Sequence, residues 1–166
     1  MNILITGHEG FIGKNLWEYL SGFNDVKLTG LDITSGFDIT KDSINEHLND
    51  VDIFINNAWS DIDPLAQTKI LYNVVDYVSK VICIGTNTQY NGIYKSSKSA
   101  LEDACIDLFR KKYDVTLIKL GKVDTPFQNG SNEPKISKQY IIDIINFVIK
   151  SPYRIEQISV RPDGNC

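Results

Sequence analysis

Residues 2–13 read as a buried strand, a glycine turn and the opening of a helix, and that order admits few folds. Ile3, Leu4 and Ile5 are apolar on both faces, as a strand inside a parallel sheet requires. From Phe11 to Leu20, Ile12, Leu16, Tyr19 and Leu20 fall on one helical stripe. Between strand and stripe stands Thr6-Gly7-His8-Glu9-Gly10-Phe11-Ile12-Gly13. Glycines at such a junction allow a tight turn and let an anion approach the backbone. The unpaired N–H groups of the helix's first turn add a partial positive charge. The stretch therefore suits the pyrophosphate of a dinucleotide; a glycine-rich turn with no ligand is the alternative. Asp32 closes the next apolar run, about 20 residues after the glycines, where a carboxylate can accept from adenosine ribose hydroxyls. A loop carboxylate capping a turn is the plainer account of Asp32.

Strand-like and helix-like segments alternate along the rest of the chain. Strands are expected at 2–5, 26–31, 52–56, 80–84, 116–120 and 157–160, with a very short one at 37–39. Helices are expected at 11–20, 43–48, 64–78, 96–113 and 138–150. This βα alternation predicts an α/β fold: a Rossmann-type, doubly wound parallel sheet in three αβα layers, one domain over residues 1–166. Residues 124–137, with Pro126, Gly130 and Pro134 among polar fillers, read as a short lid.

Composition narrows the function. A net charge of −4 and a pI near 5.1 argue against nucleic acid as a partner. No run approaches the length of a membrane span and no leader pattern opens the chain, so a cytoplasmic protein is expected. The 3 cysteines, Cys83, Cys105 and Cys166, lack CxxC spacing, fit a reducing compartment and carry no metal signature. With only His8 and His47, a histidine zinc site or a Ser-His-Asp triad is hard to assemble.

Tyr94 and Lys98 stand four residues apart, hence on one helical face. A nearby ammonium favours the phenolate, so the pair can form a general acid/base for a carbonyl or carbinol oxygen. An exposed aromatic beside a solvated lysine is the alternative. Upstream, Thr86 follows an apolar strand, where its hydroxyl could orient a substrate oxygen or simply form a turn.

Taken in order, these residues resemble the short-chain dehydrogenase/reductase family over nearly the whole chain. Thr6–Gly13 is similar to its cofactor-binding glycine turn, with Gly7, Glu9, Gly10, Phe11, Ile12 and Gly13 as the contact positions. Asp32 resembles its ribose-binding acid, and Asp38 with Ile39 its adenine contact. Asn56-Asn57-Ala58 resembles the family's Asn-Asn-Ala-Gly stretch, Thr86 falls at its catalytic serine, and Tyr94 and Lys98 match its Tyr-x-x-x-Lys pair. The 122–127 segment, with Val123 and Thr125, resembles the part that contacts the nicotinamide end. The resemblance implies an NAD(P)-dependent oxidoreductase acting on a small alcohol or carbonyl compound. Tyr94 would be the general acid/base, Lys98 would lower its pKa and hold the nicotinamide ribose, and Thr86 would orient the substrate. Asn73 is the nearest candidate for the proton-relay asparagine, with a surface amide as the alternative.

The chain departs from the pattern in places. The Gly7-x-x-Gly10-x-x-Gly13 spacing is that of the family's extended branch, whereas the tyrosine neighbourhood looks like the classical branch. Trp59 stands where glycine is usual, Leu120 where proline is usual, and Thr86 replaces serine. The glycine spacing leaves open a nucleotide-sugar epimerase or reductase. The shortened chain leaves open a non-catalytic dinucleotide-binding sensor or interaction module. Asp32 would repel a 2′-phosphate, and acidic Glu9 stands where a base would help bind one, so NAD is favoured over NADP. A stripe of Ala100, Ala104 and Leu108 suggests a homodimer.

Overall fold

The structure is a computed structural model that describes residues 1–87, 92–125 and 134–162. Its elements run β1 (Asn2–Thr6), α1 (Phe11–Leu20), β2 (Lys27–Leu31), β3 (Ile53–Asn56), α2 (Ala66–Val74), β4 (Lys80–Thr86), α3 (Ile93–Arg110), β5 (Val115–Leu120), α4 (Lys138–Lys150) and β6 (Gln157–Val160). Six parallel strands form one sheet in the order β2-β1-β3-β4-β5-β6. The order reverses at β1, so β1 and β3 diverge at a topological switch point, with the crevice outside their carboxyl ends.

Alternation along the strands builds a core on each face of the sheet. Leu4, Phe54, Val81 and Leu117 face α2 and α3, against Leu71, Val74, Leu101 and Leu108. Ile3, Ile5, Ile55, Ile82 and Ile118 face the other way, against Leu16 of α1 and Ile141, Ile145 and Val148 of α4. Burying each such side chain stabilises the fold by roughly 1.5–3 kcal/mol. These two apolar layers hold the strand ends rigidly enough to carry a site.

Helices α1 and α4 keep their expected bounds. Ser137 caps α4 by accepting from the Tyr140 N–H at 3.3 Å. At the other end, the buried Lys80 Nζ donates to Val148 O and Ser151 O at 3.0 and 3.3 Å, placing a cation at the helix C-terminus. Three expectations need correction. The 43–48 helix is only a 3₁₀ turn, Asn45–His47. The 37–39 strand is absent, because the Asp38 carboxylate accepts from the Thr40 N–H and hydroxyl at 2.9 and 2.7 Å and bends the backbone into a turn. Helix α3 begins at Ile93, three residues early, after Gly92 at φ +74°. That early start puts Tyr94 in the first turn.

The Ala104 and Leu108 stripe is also corrected: both side chains are buried in the α3–sheet core, at 4% and 3% exposure, and offer no outer packing face. Among the described residues no helix is long and apolar enough to cross a membrane.

Candidate active site

Among the described residues, two adjoining cavities lie at the carboxyl ends of β1 to β5. One, of about 400 Å³, is lined by Gly7, Gly10, Asp32, Asp38, Ile39, Asn57 and Ala58 together with Ile33, Phe37 and residues 59–62. The other, of about 310 Å³, is lined by Ile12, Thr86, Tyr94, Lys98, Val123 and Thr125 with Ile84, Gly85, Leu120 and Gly121. Asn57 and Trp59 line both, so the cavities meet at the β1/β3 switch point.

The first cavity is shaped by backbone. Gly7 sits at φ +68°, where an added Cβ would lie 2.9 Å from Asn57 Nδ2 and 3.0 Å from Ala58 Cα. Only glycine accepts that conformation without strain. A Cβ on Gly13 would lie 2.1 Å from Gly7 O, so the turn can press onto α1 only without a side chain there. Gly10 opens α1 with no side-chain cap, and Lys14 N–H to Gly10 O at 2.8 Å is the first full helical bond. The amides of Phe11, Ile12 and Gly13 precede it and have no i−4 carbonyl within the helix.

Asp32 is nearly buried at the end of β2. Its Oδ1 accepts from the Thr34 N–H and hydroxyl at 3.0 and 2.9 Å, and its Oδ2 from the Glu9 N–H at 3.2 Å. Burial pushes the carboxyl up, but the Thr34 and Glu9 bonds and the nearby His8 outweigh it and hold the group below its ordinary range. Asp32 thus caps a 3₁₀ turn, Ile33–Ser35, and lines the cavity at once. Asp38 is drawn down to about 2, first by its bonds from Thr40 and then by Lys41 at 2.9 Å.

The second cavity is shaped by side chains. Lys98 is 8% exposed, and its Nζ donates to Gln67 Oε1 at 2.7 Å and Ile84 O at 3.1 Å. Burial pushes its ammonium down to about 8, with Cys83 acting weakly the other way. The same Nζ lies 5.5 Å from the centroid of the Tyr94 ring. Tyr94 is flanked edge-on by Trp59 at 4.9 Å between ring centroids. Trp59 Nε1 donates to Ser97 Oγ at 3.0 Å, and Ser97 Oγ donates to Tyr94 O at 2.8 Å. Thr86 lines the cavity while its hydroxyl donates to Leu120 O at 3.3 Å.

Four expected site residues line neither cavity. Glu9 is exposed and meets Asp32 only through its backbone N–H; its carboxylate lies 3.2 Å from His8 Nε2. The Phe11 side chain turns to α4, beside Lys138, Ile141 and Ile142. Gly13 is buried behind the turn. Asn73 is corrected as a relay residue: it is exposed, turned about 240° around α2 from Gln67 at 100° per residue. Gln67 supplies the amide that reaches Lys98. Of the expected lid, residues 126–133 lie outside the described residues, as do Thr88 and Cys166. Its ends are tied by Asp124 N–H to Ile136 O at 2.9 Å and Ile136 N–H to Lys122 O at 2.8 Å.

Four residues hold the site in ways not anticipated from sequence. Besides Gln67 and the Trp59–Ser97 pair, the buried Thr6 hydroxyl accepts from the N–H groups of Asn57 and Ala58 at 3.1 and 3.3 Å. Asn57 Nδ2 donates to Gly7 O at 3.0 Å, so the β1 and β3 ends lock each other. A threonine closing a buried strand just before the glycines was the one available signal.

No protein-family model matches the sequence, and no curated protein matches it significantly. Solved structures do match in fold. UDP-glucuronic acid 4-epimerase from Bacillus cereus, in complex with NAD, aligns at a TM-score of 0.76 with 17% identity, over 96% of this chain and 78% of that one. A short chain dehydrogenase family protein from Francisella tularensis subsp. tularensis SCHU S4 aligns at 0.76 with 18% identity, over 96% of both chains. Serine dehydrogenase from Escherichia coli aligns at 0.65 with 16% identity, over 98% of both. The chain therefore has the Rossmann-type fold shared by short-chain dehydrogenases and sugar-nucleotide epimerases, as its glycine turn and strand order require.

Proposed function

We propose that the chain is an NAD-dependent oxidoreductase of the short-chain dehydrogenase/reductase kind, acting on a small alcohol or carbonyl compound. The observation that carries this reading is the meeting of Thr86, Tyr94 and Lys98 in one cavity, joined through Asn57 and Trp59 to the glycine-turn cavity.

The cradle fits a dinucleotide. An added Cβ at Gly10 would meet only Gly7 O, at 3.3 Å, which leaves room at the helix opening for a pyrophosphate. Asp32 Oδ2 accepts one described bond and keeps capacity for ribose hydroxyls. Asp32, Asp38 and Asp61 line the same cavity, and Lys41 is engaged by Asp38, so a 2′-phosphate would meet net negative charge. This supports NAD over NADP. Gly7, Gly10, Asp32, Asp38, Ile39, Asn57 and Ala58 would hold the adenosine and pyrophosphate end, and Ile12, Lys98, Val123 and Thr125 the nicotinamide end. When bound, the nicotinamide supplies the carbon that gives or takes hydride.

The chain's own part is proton transfer and positioning. The Tyr94 hydroxyl moves the proton to or from the substrate oxygen. Lys98, charged at neutral pH, stabilises the phenolate of Tyr94 through the field of its ammonium. Thr86 orients the same oxygen, and Trp59 walls off one side. A nucleotide-sugar substrate is the second reading, favoured by the epimerase likeness at a TM-score of 0.76.

Turnover of NADH with a panel of carbonyl compounds tests the proposal. Activity lost in Tyr94→Phe with NADH binding kept supports it; binding without any turnover favours the sensor module. We further propose a reducing, cytoplasmic location. We also propose a homodimer, packed through exposed residues such as Tyr72 and Ile93 rather than Ala104 and Leu108; light scattering tests the oligomeric state.

A further inference from the structure

Gln67 is 2% exposed, and its carboxamide has one possible orientation. Nε2 donates to Asn56 O at 2.8 Å and to Ile84 O at 3.2 Å, both obligate acceptors. Oε1 accepts from Lys98 Nζ, an obligate donor, at 2.7 Å. The backbone carbonyl of Gln67 accepts from Asn56 Nδ2 at 2.8 Å. One residue of α2 thus ties the ends of β3 and β4 to the lysine of α3.

We propose that Gln67 is a positioning residue for Lys98: its neutral carboxamide holds the ammonium beneath Tyr94 and leaves the positive charge unneutralised, so that the charge acts on the crevice. The proposal rests on the reading of Tyr94 and Lys98 as the acid/base pair. A carboxylate at this place would absorb the charge in a tight ion pair; an apolar side chain would leave a buried ammonium short of an acceptor. The groups that face Lys98 Nζ are Gln67 from α2, Cys83 and the Ile84 carbonyl from β4, and Tyr94 from its own helix. Asn56 Nδ2 and Cys105 stand behind Cys83. The lowered pKa of Lys98 agrees with a neutral partner.

The test is an NMR titration of the full-length protein carrying ¹³C-labelled lysine, without ligand, with the Lys98 signal assigned by its loss in Lys98→Met. In Gln67→Glu the Lys98 midpoint is expected to rise by about one pH unit or more; in Gln67→Met it is expected to fall by about one. The pH at which turnover is half-maximal should move with it. Midpoints that stay at the wild-type value in folded variants, or move the opposite way, overturn the proposal. If Gln67→Met does not fold, Gln67→Glu alone decides. Shifted midpoints in a protein whose wild type turns over no carbonyl compound would uphold the hold on Lys98 and overturn the oxidoreductase reading instead.

Discussion

The two halves of the crevice are built from different materials. Around Gly7, Gly10 and Gly13 the walls are backbone, held by absent side chains and by Thr6 and Asn57. Around Tyr94 the walls include the side chains of Thr86 of β4, Tyr94 and Lys98 of α3, and Trp59 after β3, with Gln67 of α2 holding Lys98 from behind. At Gly7 and Gly13 the first half cannot tolerate an added Cβ; the second cannot leave the Lys98 ammonium without its acceptors. One follows from geometry, the other from the cost of a buried charge.

That contrast can be broken at several points. The largest effect is expected at Tyr94→Phe, which should lower kcat by on the order of 10²–10⁴-fold while calorimetry shows NADH affinity unchanged. Loss of binding instead would place Tyr94 in the cradle. Next, Gly13→Ala drives a methyl against Gly7 O. It should cost about 3 kcal/mol in denaturant unfolding and weaken NADH binding along with it, whereas a wild-type midpoint would show that the turn can yield.

A smaller effect of opposite sign is expected in the side-chain half. Lys98 has a folded pKa of about 8, below the usual lysine value, so the unfolded chain binds more protons between these values. Stability should therefore rise as pH climbs through about 8 towards 10.5, and the burial cost is fully present below pH 8. Lys98→Met should remove that cost, raising stability at pH 7 by about 2 kcal/mol while activity is lost. A less stable variant would mean that the bonds to Gln67 and Ile84 outweigh desolvation. The smallest effect is expected for Asp32→Ala, which should weaken NADH binding and narrow the preference over NADPH by about tenfold. An unchanged ratio would assign discrimination to Asp38 and Asp61.

The same contrast explains what was legible in the sequence. The strand, the glycine turn and the α1 stripe are local, and the expected bounds of α1, α4 and β6 coincide with the structure. A local periodicity of 3.6 or 2 fixes such elements, and the parallel sheet follows from their alternation. The 37–39 and 43–48 segments depart from their expected strand and helix because the carboxylate of Asp38 bends the first into a turn and the second is only a 3₁₀ turn around Asn45. Tyr94 and Lys98 are legible from their spacing and Thr86 from its place after an apolar strand, and the three meet in one cavity. Gln67 was invisible, since a glutamine in an amphipathic helix gives no sign that it will point inward. Only the docking of α2 against β3 and β4 buries it, and Asn73, chosen by sequence proximity, lies on the wrong side of that helix. Trp59 was noticed only as a departure from glycine; its role as a shared wall depends on the first turn of α3.

The central claim is that the amides opening α1 and the carboxylate of Asp32 form a working dinucleotide cradle. Calorimetric titration of the folded wild-type protein with NADH and NADPH tests it most directly. The account predicts one NADH bound per chain, more tightly than NADPH; a folded sample with no measurable affinity for either nucleotide would contradict it.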